Sequence, residues 1–349
     1  MDFRDTPSEA AFRDEVRGWL ADHLTGEFAE LGGRGGPADE SEWDARVEWE
    51  KLLGKDRWLG MAWPEELGGR AATFSEQVIF NEEYARANAP ARVSLFGEGL
   101  FAPTLLAYGT ADQQRRFLPK IQSVEELWCQ GYSEPGAGSD LGNVQTKGVL
   151  DGEQWVVNGQ KVWTTFAHRA QWCFCVTRTD AGNVLGEVND GWKVAMATLG
   201  FERGTAFLSQ QLSFARELDE LITLAQKRGA TADPIVRQEL ADSYVGVQIM
   251  KFNGMRMLTS LVQGRTLGPE ASIGKLYWST WHRTLGERAL RILGAEAMQL
   301  PDAEPGRYEL DELHQEFLSS RAETIYAGSS EIQHNIIGER VLGLPREPR

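Results

Sequence analysis

The residues most able to do chemistry in mid-chain are those of "SEPGAGSD", Ser133 to Asp140, where Gly136, Gly138 and the hydroxyls of Ser133 and Ser139 precede an acidic residue. Glycine lets main-chain N–H groups approach a ligand closely and hydroxyls donate to phosphate oxygens, so the stretch is a candidate phosphate cradle. It fails as a dinucleotide fingerprint, which needs a strand before the glycines and a helix straight after them. The chain continues instead with "VQTKGVLDGEQWVVNGQKVWTTF", in which Asp151-Gly152 and Asn158-Gly159 each sit between short runs rich in Val, Trp and Thr. Both dipeptides read as two-residue hairpin turns, so the loop is predicted to open an antiparallel sheet. Cys129, Cys173 and Cys175 have neither histidine nor further cysteines at zinc-site spacing and make no disulfide framework; they read as reduced strand residues that hold no metal.

Helices must carry this loop on both sides. Up to about Ile121 the apolar residues of "SEAAFRDEVRGWLADHL" and "SEQVIFNEEYARANA" recur at three- and four-residue spacing, behind Ser8 and Ser75 as expected caps. After about Trp192 the chain turns helical again. "DPIVRQELADSYVGVQ" offers Asp233 as N-cap, Pro234 at the first helical position, and Leu240, Tyr244 and Val247 on one face. "PEASIGKLYWSTWHRTLGERALRILG" repeats the device from Pro269. Helices, a small sheet, then long helices predict an α+β fold in which the sheet packs against a bundle.

Composition limits the partners. With 51 acidic against 36 basic residues, the field of the chain repels phosphate backbones and excludes nucleic acid as a general partner. The N-terminal stretch is charged and amphipathic, without the apolar core of a secretory signal, and no window reaches transmembrane length free of charges. The expectation is a cytoplasmic protein with no membrane insertion.

The motifs, taken together, resemble one family. "AWPEELGG" (Ala62 to Gly69), "YGTADQQRRFLPKI" (Tyr108 to Ile121), "WCQGYSEPGAGSDL" (Trp128 to Leu141), "WVVNGQKVWTT" (Trp155 to Thr165) and "IYAGSSEIQHNIIGERVLG" (Ile325 to Gly343) run in the order found in acyl-CoA dehydrogenases, flavoenzymes that oxidise acyl-CoA thioesters to 2-enoyl-CoA. The last two, with the helical architecture, also look like the actinobacterial dehydrogenases of sterol side-chain CoA thioesters. The resemblance implies an N-terminal helical domain over 1–124, a middle β domain over 125–192 and a C-terminal helical domain over 193–349. It also implies FAD as cofactor, with Gln130, Tyr132, Ser133, Gly138, Ser139, Trp163, Thr165, Ser329 and Glu331 as its contacts. Ser139, Arg203, Tyr326 and Ala327 would meet the acyl-CoA, and electrons would pass to an electron-transfer flavoprotein. The competing reading of Trp163 is an ordinary core tryptophan.

Three departures from the family pattern carry consequences. Most relatives place the catalytic carboxylate just before the glycine of the C-terminal motif, where this chain has Ala327. A minority carry it directly before an arginine on the helix after the sheet, and "LGFERGTAF" supplies Glu202 and Arg203 there. The resemblance therefore makes Glu202 the base, against the plainer reading of an acid that suits the first turn of a helix. Second, Asp180 is followed almost at once by Val184-Leu185-Gly186, so a stretch holding the second half of the sheet is missing from the β domain. A working half-sheet would expose a strand edge, and a segment left out of the sequence is favoured over that arrangement. Third, "KRGATADPIVRQEL" lacks the Arg-x-x-Phe-Gly segment with which homotetrameric members hold a neighbour's FAD. A homologous partner subunit in an α2β2 assembly is the expected replacement, with a homo-oligomer as the alternative. Two other functions stay open: a non-catalytic structural subunit of a heteromeric enzyme, and a flavin oxidase on the same fold.

Overall fold

The computed structural model describes residues 4–36, 39–152, 154–179, 185, 190–201, 206–265, 268–299 and 310–346. The chain divides into two compact units, Met1–Gly204 and Thr205–Arg349.

In the first unit, α1 (Pro7–His23), α2 (Trp43–Lys55) and α3 (Phe74–Arg86) bury Val16, Leu20, Trp49, Leu53, Trp58 and Phe80 against one another. The caps of α1 and α3 are Thr6 and Thr73 rather than the expected Ser8 and Ser75. Each threonine accepts from the N–H of Glu9 or Glu76 while that glutamate reaches back to the threonine N–H, and Pro7 already suits the first helical position. A second core joins α4 (Ala102–Tyr108) and α5 (Ala111–Gln122) to the first strand, β1 (Trp128–Gly131), through Phe101, Leu105, Leu118 and Trp128. Phe101 stacks on the Trp128 ring at 3.8 Å, which anchors the strand that opens the candidate loop.

The strands pair in two small sheets. The first hairpin forms as expected: β2 (Lys147–Asp151) and β3 (Gln154–Asn158) are antiparallel, with Val149 opposite Val156 and Gly152 at φ +61° in the turn. The other pairings are parallel, β1 with β4 (Trp172–Cys175) and β2 with β5 (Arg178–Thr179). Asn158-Gly159 is accordingly not a hairpin turn, because the chain leaves the sheet there and its next strand runs parallel to β1. Glycine is needed at 159 for space: a Cβ there would lie 2.2 Å from Thr146 Oγ1. The three cysteines are free, Cys129 on β1 and Cys173 and Cys175 on β4. Helix α6 (Gly191–Phe201) then packs on α4, where the hydroxyls of Thr104 and Thr198 meet at 2.9 Å.

The second unit is a helical bundle of α7 (Ala206–Lys227), α8 (Pro234–Val262), α9 (Ala271–Leu293) and α10 (Glu312–Glu323), followed by α11 (Ser330–Ile336). Asp233 caps α8 by accepting from Ile235 N–H, with Pro234 at the first position, as the sequence indicates. Leu240 and Val247 are buried, but Tyr244 is exposed. The device is not repeated in α9, which begins at Ala271 with no side-chain cap. The core of this unit holds Phe214, Leu218, Leu221, Trp278, Trp281 and Leu285. The Trp281 indole donates to Ser243 O at 3.0 Å and lies so close to Gly246 that a Cβ there would be 2.3 Å from Cδ1. That glycine sets the approach of α8 to α9.

Candidate active site

The loop after β1 is locked from beneath. Glu134 and Ala137 exchange two main-chain hydrogen bonds of 3.0 Å, which leaves Pro135 and Gly136 at the tip. The buried Glu134 carboxylate accepts from Gln145 N–H at 2.6 Å, Thr146 N–H at 3.0 Å and the Lys161 ammonium at 2.8 Å. Burial alone would raise its pKa, but the Lys161 and Thr146 contacts outweigh that and bring it down to about 2. Lys161 also donates to Tyr132 O, and Val162 N–H donates to Ser133 O at 2.9 Å. Residues 132–134 and 161–162 are thereby tied together. Glu134 and Lys161, which hold the candidate loop, are residues that sequence reasoning missed; the visible signal is an acid inside one motif and a lysine inside the next.

Around this lock the expected ligand contacts divide into kinds. Trp163 sits at φ +58° with 90% of its surface exposed, so it is not a core tryptophan. A bulky residue in the left-handed region is unusual, and such strain of about 1–3 kcal/mol persists where the surroundings impose it. Here Val162 is pinned on one side, and on the other Phe166, itself at φ +61°, is buried with its ring 4.9 Å from that of Trp43. Tyr132 is buried, and Gln130 and Ser133 are half-buried. The Gln130 Nε2 and Thr164 Oγ1 atoms are buried without a hydrogen-bond partner among the described residues. Thr165 is half-buried, while Gly138 and Ser139 are exposed. Gly136 and Gly138 have no left-handed φ, and a Cβ on either would meet nothing within 4 Å. Their backbone does not need glycine; what glycine leaves there is room.

The second set of expected contacts lies in the other unit. Ala327 and Gly328 are both left-handed, at φ +54° and +87°, and Ser329 caps α11 by accepting from Ile332 N–H. Tyr326 and Glu331 are exposed. Glu331 is held below the usual carboxylate range, first by its own main-chain N–H and then by the Ser329 hydroxyl. Two buried side chains hold this turn. Lys275, on α9 and 5% exposed, donates to Glu323 O at 2.8 Å and Gly328 O at 2.9 Å. Gln333, fully buried on α11, donates to Ala327 O at 2.9 Å and Gly328 O at 3.3 Å. Behind them His282 lies between Glu323, which its Nδ1 meets at 2.7 Å, and Glu217 at 3.0 Å. Burial opposes its charge, but the two carboxylates overcome that and push its pKa up to about 10. Glu202 and Arg203 lie outside the described residues.

Comparison with known proteins agrees along the length of the chain. Family descriptions of the acyl-CoA dehydrogenase N-terminal, middle and C-terminal domains match residues 6–125, 129–204 and 189–342. This chain belongs to the acyl-CoA dehydrogenase family. It is 45% identical to the acyl-CoA dehydrogenase IpdE1 of Mycobacterium tuberculosis, over 97% of this chain and 98% of that protein. The IpdE1 of Mycolicibacterium smegmatis is 44% identical over 96% of this chain and 98% of its own length. The alignment with the M. tuberculosis protein spans 387 positions, more than the 349 residues present here, so that relative carries residues with no counterpart in this chain. Among solved structures, a chain of the Tcur3481-Tcur3483 steroid ACAD is similar with a TM-score of 0.82 and 26% identity, covering 99% of this chain and 100% of that one. A chain of the ChsE4-ChsE5 complex from M. tuberculosis gives 0.77 and 27%, with 100% of both covered. As a family member the chain is an oxidoreductase of α+β architecture, and these two similar structures are complexes of unlike subunits. No helix among the described residues is long and apolar enough to cross a membrane.

Proposed function

We propose that the protein is a catalytic subunit that oxidises an acyl-CoA to its 2-enoyl-CoA, with FAD bound noncovalently. The observation that carries this is the pairing of an outward, 90% exposed Trp163 with a buried and unpartnered Gln130 amide on the strand that opens the loop. An exposed indole face suits a flat aromatic ring, and an orphaned buried donor requires an acceptor that the described residues do not supply. These residues fit a flavin, and Thr165, Ser133 and Tyr132 fit its polar edge. The open space over Gly138 and beside Ser139 fits the approach of phosphate or of the CoA thioester. When bound, FAD would supply the acceptor for the β-hydride.

The chain's own residues do the rest. Glu202 takes the α-proton as a carboxylate, a role that contributes about 10²–10⁴-fold when reach and pKa are suitable. Arg203 lies beside it in sequence to meet the substrate. Ala327 offers a main-chain N–H that donates to no partner among the described residues, free to receive the thioester oxygen as negative charge develops on it. Losing the side-chain carboxylate at 327 leaves that donor intact. Tyr326, exposed beside it, lines the same approach, and Ser329 and Glu331 serve the cofactor side.

The substrate class we favour is a bulky acyl-CoA of the sterol side-chain kind, supported by the likeness to a steroid ACAD. The assembly we favour is α2β2 with a homologous subunit, located in the cytoplasm, with an electron-transfer flavoprotein as acceptor. The domain limits 1–124, 125–192 and 193–349 and a segment left out of the β domain belong to the same proposal; the extra aligned positions of the longer relative fit that omission. The test is to purify the chain with and without its homologous neighbour, record the flavin spectrum, and add acyl-CoAs anaerobically. Bleaching supports the reading. A colourless protein in both preparations sinks it, and a yellow protein that no acyl-CoA bleaches while oxygen consumption proceeds on another substrate favours the oxidase.

A further inference from the structure

The turn at residues 326–329 is fixed by two buried side chains that reach its carbonyls from behind. A trans peptide is planar, so its C=O and the N–H after it point in opposite directions. Gln333 holds the Ala327 carbonyl, which turns the Gly328 N–H away from α11. Lys275 holds the Gly328 carbonyl, which turns the Ser329 N–H away from α9. The N–H groups of Ala327, Gly328 and Ser329 donate to no partner among the described residues. The anchors polarise as well as aim. A carbonyl that accepts from an ammonium makes the N–H of the same peptide a stronger donor, more so in a dry interior. Lys275 is fixed in turn, because Glu323, whose carbonyl it also binds, gives its carboxylate to His282.

Resting on the reading of Ala327 as a carbonyl donor, we propose that Lys275 and Gln333 are positioning residues that hold the turn carrying the Ala327 N–H and aim the Gly328 and Ser329 N–H groups that follow it toward the thioester oxygen. Where a relative has a carboxylate at 327, this chain has a methyl group, and the turn keeps its shape through Lys275 and Gln333. The donors are arranged before substrate arrives, which is the condition for stabilising developing charge without reorganisation.

The test uses the holoprotein and crotonyl-CoA labelled with ¹³C at the carbonyl, a 2-enoyl thioester that oxidised flavin does not consume. Isotope-edited infrared spectra report how strongly the carbonyl is polarised. The expected result is a band shifted to lower frequency in the wild type, with most of that shift lost in Lys275→Met and partly kept in Lys275→Arg. Flavin content and helical circular dichroism should stay unchanged. Flavin reduction by an acyl-CoA should slow by about 10- to 100-fold in Lys275→Met, less than the roughly 10²–10³ that removing a donor outright costs. If Lys275→Met does not fold, Gln333→Met carries the same expectation. A folded, flavin-loaded variant with a wild-type band overturns the proposal, as does an unshifted wild-type band. Failure of the parent reading looks different, since the wild type would then reduce no flavin with any acyl-CoA.

Discussion

At residue scale the base is the sharpest question. Ala327 cannot accept a proton, and the family resemblance gives Glu202 as the position where a minority of members keep their carboxylate. Glu202→Gln retains size and hydrogen bonding while removing the acceptor, so flavin and acyl-CoA should bind while flavin reduction slows by about 10²–10⁴-fold in stopped-flow absorbance. Glu331→Gln is the control. Its carboxylate is exposed and engaged with its own N–H and Ser329, so the variant molecules that retain flavin should bleach at nearly the wild-type rate, even if fewer retain it. The opposite pattern would move the base to Glu331. Trp163 should act through its face: Trp163→Ala is expected to weaken flavin retention on gel filtration without lowering Tm by more than a few degrees, because the side chain buries almost nothing. The motifs that name these residues were legible in the sequence. Trp163's exposure was not, since an aromatic among strand-forming residues looks the same whether it packs inward or waits for a ligand. Glu134 and Lys161 were hidden for a different reason: each sits within a motif read for its glycines or its tryptophan, and their pairing joins positions 27 apart.

At the scale of elements, periodicity found the helices, and capping chemistry placed their ends with small errors. Ser8 and Ser75 carry the right functional group, but Thr6 and Thr73 own the extended backbone that a cap requires. Asparagine-glycine has the habit of a hairpin turn, but close packing on Thr146 is what position 159 demands. The approach of α8 to α9 gives a stability prediction. Gly246→Ala would drive a methyl group into the Trp281 ring, and overpacking of this kind costs about 1–3 kcal/mol, measurable in urea unfolding. The His282 clamp gives a pH prediction. Its folded pKa is raised from an ordinary 6.5 to about 10, so the stability it contributes is complete below the ordinary value and is lost as pH climbs through about 10. The Tm of the second unit should therefore fall between roughly pH 7 and 10.

For the whole molecule, the open question in the sequence was what completes the site, and the answer turns on what the chain lacks. It has no Arg-x-x-Phe-Gly segment before α8; the region reads "KRGATADPIVRQEL", and it contains a short helical turn, Ala230–Ala232, leading to the Asp233 cap. It also lacks residues that its longer relative has, and the β2–β3 hairpin shows Val149, Leu150, Val156 and Val157 each more than half exposed, on both faces. Exposed apolar strands of this kind are a pairing hazard for a chain on its own. The steroid ACAD and the ChsE4-ChsE5 assembly are both complexes of two different chains. On the function proposed, a homologous partner would meet the cation missing from a phosphate site and a family-shaped interface together. Sedimentation velocity should accordingly show the chain alone as concentration-dependent, poorly flavinated species, and the co-expressed pair as a single species with stoichiometric flavin. Replacing Val149 and Val156 together by threonine separates two causes. If self-association disappears while flavin content of the lone chain stays low, the hairpin explains the association and the low flavin has a separate cause, as a missing partner requires. A flavin-loaded, active homotetramer formed by this chain alone would show that its own residues suffice, and the partner would then be unnecessary.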